Sequence, residues 1–118
     1  MNIKELLSNL SHFIGTEKYY RITHRHLLTD GTKYLAENAE CFWLMTAIAS
    51  LLTKQFHNYF AVVNLTVKDS AAQLTLDDGN GNVFAQQFIE YTDFSLSEIK
   101  LYCAFDGEYW VIMLPREY

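Results

Sequence analysis

The chain has 118 residues, half of them apolar and 19% charged, with a formal net charge of −5. That is enough for one folded domain with a real core, and too apolar for a disordered chain. Net acidity argues against wholesale binding to a nucleic-acid backbone, which needs clustered Lys and Arg. The longest nearly apolar run, residues 41–52, is shorter than the roughly 20 residues a membrane-spanning helix requires.

The N-terminus lacks the apolar stretch of a signal peptide, which points to the cytoplasm. Cys41 and Cys103 are too few for a disulfide scaffold, and both sit in apolar segments. They are expected to be buried thiols. Charge is distributed unevenly. Residues 1–57 carry six Lys/Arg against five acids, and residues 58–118 carry three against nine.

The first expected helix follows from Ile3, Leu6, Leu7, Leu10, Phe13 and Ile14, which recur at three- and four-residue steps. Asn2 is its cap, with Glu5 three residues on, and Gly15 is its expected end. Residues 19–28, rich in aromatic and β-branched types, suggest a short extended stretch. Thr29-Asp30-Gly31 reads as a turn. A second helix is expected to begin between Thr32 and Asn38 and to run to about Lys54. Tyr34, Leu35, Phe42, Trp43, Thr46, Ala47, Ser50 and Leu51 share one of its faces.

From residue 59 onward the pattern is strand. Val63, Leu65 and Val67 alternate with polar residues, and a turn at Asp69-Ser70 sets them opposite Leu76, Leu74 and Ala72. Residues 77–82 form a turn, and 83–89 a third strand. A final hairpin is expected to turn at Asp106-Gly107, pairing Cys103 with Trp110, Leu101 with Ile112 and Ile99 with Leu114. Pro115 ends it. The expected fold is α+β: two helices on one face of an antiparallel sheet of about five strands, α-α-β-β-β-β-β. Residues 1–118 read as a single domain.

Chemistry is sparse. His24 and His26 have ligand-like spacing on an extended strand, but candidate third ligands (His12, Asp30, Cys41, His57) fit no established motif. No metal and no cofactor is expected. Cys41, Cys103, Thr46 and Ser50 lack a nucleophile setting. Residues 77–82 lack the ligand alternation and closing Glu of an EF-hand loop. Phosphate-binding glycine motifs are absent. What remains is Tyr19, Tyr20 and Arg21 with His24, Asp30 and Lys33, where aromatics interleave with basic groups. Those six residues are the candidates for a ligand or partner site.

Several runs, taken in order, carry a resemblance. They are Gly15-Thr16-Glu17-Lys18-Tyr19-Tyr20-Arg21, Thr29-Asp30-Gly31-Thr32-Lys33-Tyr34-Leu35-Ala36-Glu37, Phe42-Trp43-Leu44 with Ala47-Ile48-Ala49-Ser50, Ile89-Glu90-Tyr91-Thr92-Asp93-Phe94, Glu98-Ile99 with Leu101-Tyr102, and Leu114-Pro115-Arg116-Glu117-Tyr118. Together they resemble a family of short bacterial proteins catalogued only as a domain of unknown function. The resemblance implies a bacterial, plasmid or phage setting and carries no reaction, ligand or catalytic residue. Residues 23–26 are not part of its pattern.

The expected role is a non-enzymatic interaction or regulatory module working through a protein surface, with a homodimer as one form. An alternative is a site for a small anionic ligand, or an enzyme, in which Arg21 binds the anion and His24 is the acid–base group beside Tyr20 and Asp30. Another is an acidic inhibitor that mimics nucleic acid through the strand half.

Overall fold

A computed structural model describes residues 2–52 and 59–118. The expected extension of the second helix to Lys54, and the ligand candidate His57, lie outside them. Helix α1 (Ile3–Leu10) starts as the sequence suggests, with the Asn2 side chain accepting the Glu5 N–H at 2.8 Å. It stops before Gly15. The Ser11 hydroxyl donates to the Ser8 carbonyl, and His12 and Phe13 donate to carbonyls three residues back. That tighter turn unwinds the helix and brings the Phe13 ring onto Tyr34, 5.3 Å between centroids. Of the apolar stripe, Leu6 and Leu10 are buried, while Ile3, Leu7 and Ile14 are exposed.

The extended stretch at 19–28 is two short strands, β1 (Tyr20–Arg21) and β2 (His26–Leu28), paired antiparallel across a turn. The expected second helix is two helices, α2 (Asp30–Asn38) and α3 (Phe42–Leu51). Between them Glu40 takes a left-handed backbone, φ +50°, and the Cys41 N–H reaches back to the Ala36 carbonyl at 2.9 Å. This is a helix stop that usually carries glycine, made here by glutamate. The break re-aims α3, so its inward residues are Leu44, Met45 and Ile48. The Thr46 and Ser50 hydroxyls instead face outward and donate to carbonyls of their own helix.

Strands β3 (Phe60–Lys68), β4 (Ala71–Asp77), β5 (Val83–Ile89), β6 (Glu98–Phe105) and β7 (Trp110–Met113) complete the sheet. A 3₁₀ turn (Pro115–Glu117) follows. Sheet order is β1-β2-β7-β6-β3-β4-β5. The β3–β4 register is the expected one, with Val67 opposite Ala72, Leu65 opposite Leu74 and Val63 opposite Leu76. In the last hairpin Cys103 faces Ile112, and Trp110 faces Phe105. The Asp106 carboxylate accepts the N–H groups of Glu108 and Tyr109, and the Asp106 N–H donates to the Tyr109 carbonyl. Asp106 therefore stands before the reversal, which falls on Gly107-Glu108. The register moves by two, so every side chain keeps its face.

Two features correct the expected architecture. The described residues hold three α-helices and seven strands, and the sheet is mixed, because β2 runs parallel to β7. The parallel pair was hidden because β2 is three residues long and its partner lies 84 positions downstream. Leu28 and Ile112, opposite each other there, are both fully buried. The core lies between the helices and one sheet face. Leu35, Leu44, Met45, Ile48 and Leu52 pack with Val63, Leu65, Leu74, Leu76, Leu101 and Cys103. Each fully buried leucine there contributes roughly 1.5–3 kcal/mol.

Candidate functional site

An α-helix begins with backbone N–H groups that have no partner inside the helix, a natural place for an anion. In α2 those groups are already taken. The Asp30 N–H donates to the Thr16 hydroxyl at 2.8 Å, the Gly31 N–H to Glu117 at 3.0 Å and the Thr32 N–H to the Thr29 hydroxyl at 3.3 Å. Thr29 and Thr32 form a reciprocal capping box. The Thr29 hydroxyl donates in turn to Glu117 Oε1 at 2.6 Å, and the Thr32 hydroxyl to the Ile112 carbonyl at 2.8 Å. The Thr-Asp-Gly run is therefore a helix start, not a loop, and the C-terminal segment closes it.

Asp30 ties the preceding segment to the same point. Its carboxylate accepts the Glu17 N–H at 2.9 Å and the Tyr20 hydroxyl at 2.9 Å. The Glu17 N–H, then the Tyr20 hydroxyl, hold the Asp30 carboxyl below its usual range. The same bond to Asp30, and then burial, push the Tyr20 phenol upward. Lys33 lies over the Tyr20 ring, 4.5 Å from its centroid, and pairs with Glu37 at 3.6 Å.

Of the six candidates, the structure brings together Tyr20, Asp30 and Lys33. Arg21 goes elsewhere, because neighbouring residues of a strand point to opposite faces. Tyr20 lies on the helix side; Arg21 lies on the other, where it donates to the Tyr109 hydroxyl at 2.9 Å and sits 5.4 Å from that ring's centre. His24 stands in the exposed β1–β2 turn, and Tyr19 is exposed. No single pocket gathers Arg21, His24 and Asp30.

His24 and His26 do not share a face either. His26 is buried, its Nε2 donating to the Leu52 carbonyl at 2.9 Å and its Nδ1 2.6 Å from the Thr23 hydroxyl. It joins the β1–β2 turn to the end of α3. Among the described residues no three His, Cys, Asp or Glu side chains are grouped to hold a metal. In the acidic turn the Asp78 carboxylate accepts N–H groups of Asn80 and Asn82 together with the Asn82 amide, and Asp77 accepts the Gly79 N–H. Both cysteines are buried. Burial alone pushes the Cys41 thiol up to about 12 and raises that of Cys103 as well, the reverse of what a nucleophile needs.

The sequence left open whether the hairpin face carrying Lys100, Tyr102, Tyr109 and Val111 meets water or a partner; it belongs to the sheet face away from the helices. Register places Leu27, Val111, Ala104 and Phe60 in one row, and Met113, Tyr102 and Val62 in the next. All seven are apolar or aromatic, and all except Met113 remain half-exposed. Tyr118 lies over them, its ring 5.1 Å from Phe60 and 5.7 Å from Tyr102. The signal was present in the alternate positions of the last hairpin, where Tyr102, Tyr109 and Val111 fall together. Toward β4 this face turns polar, through Lys100, Asn64 and Thr75.

No helix among the described residues is long and apolar enough to cross a membrane. Comparison with curated proteins and with solved structures finds no match. Residues drawn from the runs quoted above have physical roles here: Thr16, Tyr20, Asp30, Thr32 and Glu117 close one helix start. The chain belongs to the family of unknown function DUF6876, whose pattern matches residues 4–118.

Proposed function

We propose that this chain is a non-enzymatic protein-interaction or regulatory module, working in a bacterial or mobile-element cytoplasm. The observation that carries the reading is the aromatic sheet face around Phe60, Tyr102 and Tyr118, which none of the three α-helices among the described residues covers. Aromatic side chains contribute large contact area at little entropic cost, and they are enriched in the centres of protein interfaces. The polar network at α2 supports the same reading, since its groups are engaged in holding the backbone.

The test compares the wild-type chain with a Tyr102→Ser, Tyr118→Ser double variant that retains its circular dichroism spectrum. The wild type should retain a host protein that the variant loses. A turnover abolished by substituting Tyr20, Arg21, His24 or Asp30 would overturn the reading. So would a small-molecule adduct in the native mass spectrum that Arg21→Ala removes.

A further inference from the structure

A sheet edge presents unpaired N–H and C=O groups, and proteins blunt such edges with short strands, charges or proline. The two edges of this sheet are β1 and β5. β1 has two residues and carries Arg21. β5 has seven, Val-Phe-Ala-Gln-Gln-Phe-Ile, with neither charge nor proline. Phe88 is 62% exposed, and the neighbouring Val83 and Tyr91 are 54% and 74% exposed. Among the described residues, one edge is guarded and the other is not.

Register shows which backbone groups are open. The two-residue turn at Asp69-Ser70 makes Lys68 and Ala71 a hydrogen-bonded pair, so residues 71, 73, 75 and 77 bond to β3, and residues 72, 74 and 76 bond to β5. Their partners are Ile89, Gln87 and Ala85. Gln86 and Phe88 therefore direct their N–H and C=O outward, at the spacing of another strand.

We propose that two copies of this chain pair antiparallel through β5, about a two-fold axis at Gln87. A second extended backbone pairs the whole open ladder at once, and a copy of this chain fits its symmetry. Although residues 58–118 carry three basic against nine acidic residues, β5 itself has no charged side chain, so two copies meet here without like charges directly opposite each other. Parallel pairing in register would set Glu90 against Glu90 of the other copy; antiparallel pairing sets it against Phe84. An irregularity at Leu76/Asp77 ends the regular ladder at Ala85, leaving residues 85–89, whose midpoint is Gln87. Gln86 then exchanges both backbone bonds with Phe88 of the other copy. Gln87 meets itself, and its amide, donor and acceptor at once, is self-complementary.

The test is sedimentation velocity and native mass spectrometry of the full chain over a concentration series. The expected species is a concentration-dependent dimer of twice 13.7 kDa. Gln87→Lys and Gln87→Glu should each weaken it severalfold, and mixing the two variants should restore it, because residue 87 faces its own copy. Gln86→Pro should abolish it, since that N–H points away from β4; this variant carries the test if a charge variant fails to fold. A wild-type monomer up to about 1 mM chain would overturn the proposal. So would a dimer indifferent to all three substitutions. The aromatic face lies on other strands, so a monomeric variant that still captures a host protein separates the two readings.

Discussion

The carboxylate of Glu117 stands where a side chain on Gly31 would have to go. Its Oε2 accepts the Gly31 N–H at 3.0 Å, and a Cβ on Gly31 would lie 2.6 Å from Glu117 Oε1 and 2.6 Å from Leu114 Cδ1. Gly31 is small to admit a cap supplied from the far end of the chain. Gly31→Ala should displace Glu117 and cost about 1–2 kcal/mol, as loss of a helix cap does. Glu117→Ala should cost a similar amount. The double variant should cost less than the sum of the two, because both displace the Glu117 carboxylate, while the contact of the new Cβ with Leu114 remains. Urea unfolding of the four proteins measures this.

Asp30 gives acid stability a definite sign. Its folded pKa is depressed by the Glu17 N–H and the Tyr20 hydroxyl, so its contribution is present above the ordinary carboxylate range and lost as pH falls through the folded value. Tyr20 works at the other end. Its folded pKa is raised, so that contribution holds below about pH 10 and is lost as pH rises through the folded value. Melting temperature against pH should fall at both extremes. Asp30→Asn should flatten part of the acid limb, leaving a remainder from Asp78 and Asp106, which backbone and Asn82 N–H groups also depress.

The thiols should be silent in the native state. With Cys41 pushed up to about 12 and Cys103 fully buried, neither should react with a thiol-specific disulfide reagent at pH 8. Both should react in denaturant. Rapid labelling of native protein would contradict the burial described.

His26 should behave as a structural residue. His26→Ala leaves the Leu52 carbonyl without its donor and should cost roughly 1–3 kcal/mol. Added zinc should leave the melting temperature of the wild type and of His24→Ala alike.

The β3–β4 turn can be improved. Asp69 and Ser70 hold φ of +55° and +64°, a conformation that favours Asn-Gly. Asp69→Asn with Ser70→Gly should stabilise by about 0.5–1 kcal/mol, and Ser70→Val should destabilise, both read from chemical denaturation.

That hairpin also shows what a sequence reveals. Its register was legible because apolar alternation and a two-residue turn pointed to one answer, with a slip exposing six side chains at once. The α2–α3 break was illegible because Glu40 holds a position that glycine usually marks. Thr29-Asp30-Gly31 looked like a turn because turns and helix starts use the same residues; only Thr32, three positions on, distinguishes them. The expected site kept Tyr20 and Arg21 together, although neighbouring residues of a strand point to opposite faces. What no local pattern contained was the reach of Glu117 to Thr29, across 88 positions.

The parallel pairing of β2 with β7 has a consequence for synthesis. A ribosome delivers the chain from its N-terminus, so Leu28 emerges long before Ile112, its neighbour in the sheet. Until residues 110–117 appear, β2 has no strand beside it except the two residues of β1, and α2 lacks the Glu117 contact that closes its start. The first third of the nascent chain must wait, with apolar surface open to chaperones and proteases. A stalled ribosome on this message would display an unfinished sheet rather than a smaller folded protein.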